Sequence, residues 1–326
     1  MPQASTLTAQ LTDRLRAANE HGGLAMLFPG QGSHKVGAGR DLYDASPLAR
    51  EVFQRADEAL GHPLSKLCFE GPEDELTDTA NAQPAILTVS LACLAAALES
   101  GALQRRPALL AGHSLGEFTA LVASGAIDLE DAVSLVATRG RLMGEASRQR
   151  PGTMAAIVGL NGEALAQVCA GSGVEVSNYN SPTQFVVGGA RTAVEAASRL
   201  AKELGGRGLP LNVSGAFHTS LMAPAATEFA TAVDACPVRE PFIPIIGNTT
   251  AEPLADAGAI REELRRQITS PVLWHQTVTS MIEAGVTTFV EAGPGNALTG
   301  LVKRAGPGLT ALTLDSVESL EPLRDV

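Results

Sequence analysis

Cysteine is scarce in this 326-residue chain and shows no pattern. Cys68, Cys93, Cys169 and Cys236 are too far apart for a metal-ligand set or a disulfide framework, which leaves structural thiols in a reducing, cytosolic setting as the expectation. Positive charge is also short: 24 Lys and Arg face 35 Asp and Glu, a net charge of -11, and no basic footprint of the kind nucleic acid requires dominates. Despite 33 glycines and 19 prolines there is no repeat or low-complexity tract, so fibrous and disordered classes are excluded. The longest apolar run, residues 84–98, is interrupted by Thr88 and Ser90 and is shorter than the roughly 18 residues of a membrane span; it reads as a buried helix. Residues 1–22 lack the continuous apolar stretch of a secretion signal. There Leu7, Leu11 and Leu15 recur at a helical interval, so this N-terminal extension reads as a detachable amphipathic helix laid on the body.

What remains is a globular chain, 45% hydrophobic, long enough for one large core or two modest ones. Short apolar or β-branched runs beside glycine turns alternate with helical patterns, the signature of an α/β fold. Strands are expected at residues 25–28, 109–111, 242–246 and 288–291, each ending at a glycine-containing turn. In open α/β sheets the ligand crevice lies beyond the carboxyl ends of the strands, so these turns are expected to line one site. Residues 152–214 read differently, with strands at 154–158, 174–177 and 184–187 and helices at 162–170 and 191–204. They form a small α+β subdomain inserted into the larger one, which is left with residues 23–151 and 215–326. A cleft between the two is a natural place for a site.

The sharpest chemical signal is LLAGHSLGEFTAL, residues 109–121. A strand, Gly112-His113-Ser114-Leu115-Gly116 and an apolar helix fit the nucleophile elbow, where flanking glycines permit a tight turn that exposes the serine hydroxyl. The N–H of Leu115 and the positive end of the helix would face a developing oxyanion. Without that context Ser114 would be an ordinary turn serine. Six histidines compete as its base, and sequence chemistry alone does not choose among them. GAFHTSLM favours His218, which follows a glycine-led turn where the chain re-enters the main body; His113 reads as an elbow packing residue and His275 as a partly exposed helix residue. No carboxylate between Ser114 and His218 stands out as the third member of a triad. EAGPG (291–295) has no lysine at nucleotide-binding spacing, and a nucleotide role is rejected.

The segments LFPGQGSHKVGAGRDLY, ANAQPAIL, GHSLGEFTALVASGAI, TRGRLM, NYNSPTQFVVGG, GAFHTSLM and VEAGPGNALTGLVKR occur in the order seen in the malonyl-CoA:acyl carrier protein transacylase family, including the discrete acyltransferases that serve polyketide synthases in trans. The resemblance covers residues 24–304. It implies an α/β-hydrolase-like large subdomain carrying an inserted ferredoxin-like small one. It also implies Ser114 as nucleophile, His218 as base oriented by the backbone carbonyl of Gln267, and an oxyanion hole from the N–H groups of Leu115 and Gln31. Arg139 matches the arginine that holds the malonyl carboxylate, a role suited to a planar guanidinium that can donate two parallel hydrogen bonds. Met143 and Phe217 are expected to wall the acyl pocket, though either could be plain core. Asn178 and Asn180 fall where the family has asparagines near the thioester arm, but Asn and Ser-Pro also form ordinary turns.

The activity so implied moves a malonyl group from malonyl-CoA, through a serine ester, to the phosphopantetheine thiol of an acyl carrier protein, with no metal or cofactor and no membrane partner. An acidic carrier would need a local basic patch, for which Arg265, Arg266, Lys303 and Arg304 are candidates. Three rivals are weighed: a hydrolase that clears carriers, which has no use for Arg139; a transferase for a larger or α-branched acyl unit, disfavoured by Phe217 beside the base; and a catalytically silent docking protein, opposed by the intact Ser114, His218 and Arg139. Fatty-acid and polyketide branches share every motif quoted.

Overall fold

The computed structural model describes residues 6–20 and 22–325. Its main strands, in chain order, are β1 (Leu24–Phe28), β2 (Leu109–Gly112), β3 (Thr153–Val158), β4 (Glu175–Ser181), β5 (Gln184–Gly189), β6 (Arg207–Pro210), β7 (Ile245–Ile246), β8 (Pro253–Leu254), β9 (Thr288–Ala292) and β10 (Thr310–Leu314). They divide between two sheets. The larger runs β8-β7-β2-β1-β9-β10 and is parallel except for the β8–β7 pair. β1 and β9 are buried at every residue, as expected of central parallel strands covered on both faces. The smaller sheet, β4-β5-β3-β6, is wholly antiparallel.

Two helices explain where the apolar sequence went. In α1 (Leu7–Ala17), Leu7, Leu11 and Leu15 are fully buried in the main core. Each contributes about 2 kcal/mol of transfer free energy, so the segment is an integral part of the body rather than a detachable one. The 84–98 run lies within α2 (Thr79–Glu99), which at 21 residues is longer than expected and would pass for a membrane span by length and hydropathy. However, 94% of its apolar window is buried inside the protein, and the Thr88 hydroxyl donates to the Pro84 carbonyl of its own helix.

Helices α3 (Gly116–Ala123) and α4 (Leu129–Gln149) follow β2. The small sheet carries α5 (Gly162–Ser172) and α6 (Arg191–Glu203), giving β3-α5-β4-β5-α6-β6, the ferredoxin-like βαββαβ order. The small sheet is tied to the larger body where Tyr179 N–H donates to the carbonyl of Val272, in the loop before Trp274, and Val272 N–H donates to the Ser177 carbonyl, both at 2.9 Å.

One expected strand is largely absent. Of residues 242–246 only Ile245 and Ile246 form a strand. Pro244 has no N–H to give and joins the sheet only by accepting from Leu110 N–H at 3.0 Å. Strands β6, β8 and β10 were not anticipated.

Candidate active site

Phe28 lies opposite Gly112 in the β1–β2 pair, so the turns after the two strands leave the sheet side by side at its carboxyl edge. The elbow glycines have a steric reason. A Cβ on Gly112 would stand 1.8 Å from the Gly116 carbonyl carbon, and one on Gly116 would stand 2.0 Å from the Phe28 oxygen. Ser114, between them, has φ 53, in the left-handed region. That strained turn lifts its hydroxyl off the sheet and onto the N-terminus of α3. Leu115 is fully buried and its side chain carries no polar group, so its backbone N–H is the one donor it can offer.

His218 also has a positive φ, 60. Its Nε2 is 2.7 Å from Ser114 Oγ. Its Nδ1 is 2.9 Å from the Gln267 carbonyl and 3.1 Å from the Ser270 carbonyl. Two carbonyl acceptors require the proton on Nδ1, which leaves Nε2 free to accept from the serine hydroxyl. Burial, and then the positive charge of Arg139, lower the His218 pKa to about 3, so the imidazole is neutral throughout the physiological range, with the Nε2 lone pair free to take a proton. Among the described residues no carboxylate is hydrogen-bonded to it.

The two other histidines weighed above, His113 and His275, part company. The His113 ring packs on Trp274 with centroids 5.4 Å apart, as a packing residue would, but its Nε2 also lies 3.1 Å from both Asn178 Nδ2 and Asn180 Oδ1 on β4. His275 is partly exposed on the helix Trp274–Glu283.

Arg139, on α4, is only 1% exposed. Its neighbour Gly140 lets α4 press against the start of α2: a Cβ there would be 2.3 Å from the Thr79 oxygen. The guanidinium donates through Nη1 to Gln83 Oε1 (2.8 Å) and through Nη2 to Gln267 Oε1 (2.9 Å) and Ser114 Oγ (3.1 Å). Its Nε, among the described residues, has no acceptor. Burial lowers its pKa to about 10, which still leaves it charged at neutral pH. A buried cation whose direct partners are two neutral amides and a hydroxyl is poised for an anion.

A cavity of about 750 Å³ opens over Ser114, between the two sheets. Gln31, Ser114, Met143, Asn178, Asn180, Phe217 and His218 line it, together with Met154 of β3 and Val186 of β5. Arg139, Leu115 and Gln267 lie behind this wall. Met143 and Phe217 are wall and core at once, being 1% and 5% exposed. Of the cations considered for docking, Arg265 is paired with Asp234 and Glu262, and Arg266 with buried Glu263. Arg304 instead reaches Gln184 Oε1 at 3.4 Å, beside the cavity, with exposed Lys303 next to it.

Sequence reasoning missed Gln83, Glu117, Asn248 and Ser270. Glu117 offered the one local signal: a carboxylate in the first turn of an otherwise apolar helix, and it proves to be fully buried.

Residues 25–315 match the acyl transferase domain family. The malonyl CoA-acyl carrier protein transacylase of Bacillus subtilis (strain 168) is 45% identical over 304 residues, covering 91% of this chain and 95% of that protein. The crystal structure of an acyl carrier protein S-malonyltransferase from Vibrio cholerae O1 biovar eltor is 41% identical, with a TM-score of 0.89 and coverage of 92% and 99%. A malonyl-transacylase solved in complex with a type II PKS acyl-carrier protein is 40% identical, with a TM-score of 0.89 and coverage of 93% and 99%. With its serine elbow, its carbonyl-held histidine and its buried arginine, this chain belongs to the acyl transferase family, among the malonyl CoA-acyl carrier protein transacylases.

Proposed function

We propose that the protein transfers malonyl groups from malonyl-CoA to an acyl carrier protein through an ester on Ser114. The observation that carries this reading is that one hydroxyl, Ser114 Oγ, touches both a neutral imidazole and a buried guanidinium. His218 Nε2 takes the hydroxyl proton as Oγ attacks the thioester carbonyl. The N–H groups of Leu115 and Gln31 receive the oxyanion, and the proton then leaves with the coenzyme A thiol. In the second half His218 deprotonates the phosphopantetheine thiol of the carrier, which takes the malonyl group to sulfur, and His218 returns the proton to Ser114 Oγ as the ester bond breaks. Arg139 holds the malonyl carboxylate throughout, while Met143 and Phe217 exclude water and bulk at the α-carbon. Asn178 and Asn180 steady the thioester arm. The reaction needs no metal or redox group, since nucleophile, base and donors supply each step.

We place the enzyme in the cytosol, in fatty-acid or polyketide synthesis; the free state of all four cysteines supports a reducing compartment. Intact mass after brief exposure to a panel of acyl-CoAs tests the reading. One malonyl mass on the wild-type chain, discharged by a holo carrier protein, supports it. An acyl-enzyme lost to water faster than to any carrier would favour a hydrolase.

A further inference from the structure

Beyond the groups that meet substrate, the floor of the site holds a carboxylate with no assigned task. Glu117 is fully buried and receives three hydrogen bonds and gives none. Asn248 donates to its Oε1 from the backbone N–H (2.8 Å) and from Nδ2 (2.9 Å), and Gln267 Nε2 donates to its Oε2. A set made only of donors suits an ionised carboxylate, not a carboxylic acid.

The two amides it holds are those that grip the elbow. Asn248 Oδ1 accepts from Ser114 N–H at 2.7 Å, while Asn248 Nδ2 also donates to the Gly112 carbonyl at 2.7 Å. Gln267 Nε2 also donates to the Ser114 carbonyl at 3.1 Å, and Gln267 Oε1 accepts from Arg139 Nη2. Both backbone polar groups of the strained serine, and one arm of the guanidinium, are thus fixed by amides whose orientation Glu117 dictates.

We propose that Glu117 is a positioning residue for acyl transfer, acting through Asn248 on the Ser114 backbone and through Gln267 on both Ser114 and Arg139. Its charge matters as much as its shape. Burial, and then the neighbouring Glu263, push its pKa well above the ordinary carboxylate range; the three donors, with Arg139 adding to their pull, are what favour the ionised form. A glutamine in its place would set its own NH2 against that of Gln267. Turning the Gln267 amide would relieve that clash, but it would then aim an oxygen at the Ser114 carbonyl and an NH2 at Arg139. The elbow would loosen and the cation would lose an acceptor together.

This inference rests on the malonyl-transfer reading, so the test measures a ratio within each protein. Rates of Ser114 acylation by malonyl-CoA and by acetyl-CoA are measured, per titrated active site, in wild type and in Glu117→Gln. A misplaced reacting group commonly costs up to about a hundred-fold. We expect both rates to fall by about ten-fold or more, and the malonyl-to-acetyl ratio to fall as well, because only malonyl depends on Arg139. Asn248→Ala should slow both substrates without changing the ratio, and should cost less in the Glu117→Gln background than in wild type. A role confined to folding would lower the number of active sites and leave per-site rates and the ratio alone; that result, or fully additive effects, would overturn the proposal. If Glu117→Gln does not fold, Glu117→Asp, which keeps the charge but withdraws it, must show the same fall in ratio or the proposal is lost. A wild type that takes no malonyl group would refute the functional reading itself, an outcome distinct from an unchanged variant.

Discussion

Ser114 and His218 meet at 2.7 Å from two backbones that are both in the left-handed region, at φ 53 and φ 60. Neither residue is a glycine, and each such conformation costs on the order of 1 to 3 kcal/mol. The dyad is therefore held in place by its surroundings: by glycine packing beneath the serine, and by two carbonyls and burial around the histidine.

Ser114→Ala should remove the only acceptor of the malonyl group. The wild-type chain is expected to gain one malonyl mass on exposure to malonyl-CoA and the variant none. Equal labelling of the two would move the nucleophile elsewhere.

His218→Ala is expected to slow both half-reactions by about a hundred- to ten-thousand-fold, the usual contribution of a general base. His275→Ala should change the acylation rate little, and His113→Ala should act chiefly on thioester binding through the contacts to Asn178 and Asn180. Stopped-flow acylation of the three folded variants separates these outcomes, and the base assignment fails if His275→Ala is the slowest.

The depressed pKa of His218, about 3, has two consequences with opposite experimental faces. Acylation should not fall off through an ordinary histidine pKa near 6.5, because the base stays neutral well below it. Stability, by contrast, should suffer. Below about pH 6.5 the unfolded chain protonates this histidine and the folded one does not, so its stabilising contribution, intact above that pH, is lost at up to about 1.4 kcal/mol per unit on the way down. Denaturant titrations of wild type and His218→Gln between pH 7 and 5 should show the steeper loss in wild type; parallel curves would contradict the burial argument.

Arg139→Ala should cut acylation by malonyl-CoA by about ten- to a hundred-fold or more, the value of a lost charge-assisted bond of roughly 1.5 to 3 kcal/mol. Acetyl-CoA, with no carboxylate, should lose nothing and can gain, since the variant no longer presents an unpaired cation. A malonyl-to-acetyl preference that survives the substitution would take Arg139 out of the site.

Gly112→Ala is expected to destabilise by about 3 kcal/mol or more, because the new methyl has backbone rather than a flexible side chain in its way. A chain of wild-type stability in urea would show that the elbow can shift to make room.

The elbow was legible in the sequence because it is local: strand, glycines, serine and helix lie within 13 consecutive residues, and the steric demands at Gly112 and Gly116 are met within that stretch and by its neighbouring strand. Arg139 was not legible from the residues themselves, since nothing in a helical arginine says that it is buried; only the resemblance singled it out. Asn248 and Glu117 lie 131 positions apart and look like a turn asparagine and a helix glutamate until the fold stacks them. The 242–246 segment read as a longer strand because its apolar run outweighed Pro244, and β10 was missed because it follows a Gly-Pro-Gly turn and two of its five residues, Thr310 and Thr313, are of modest hydrophobicity.

The pair of hydrogen bonds joining Ser177 and Tyr179 to Val272 pins the strand that carries Asn178 and Asn180, two residues of the cavity wall, to the loop before Trp274. A wall pinned beside a single nucleophile serves one thioester arm at a time, because one serine can carry only one ester. Turnover should accordingly follow ping-pong kinetics, with free coenzyme A and the carrier contending for a single berth.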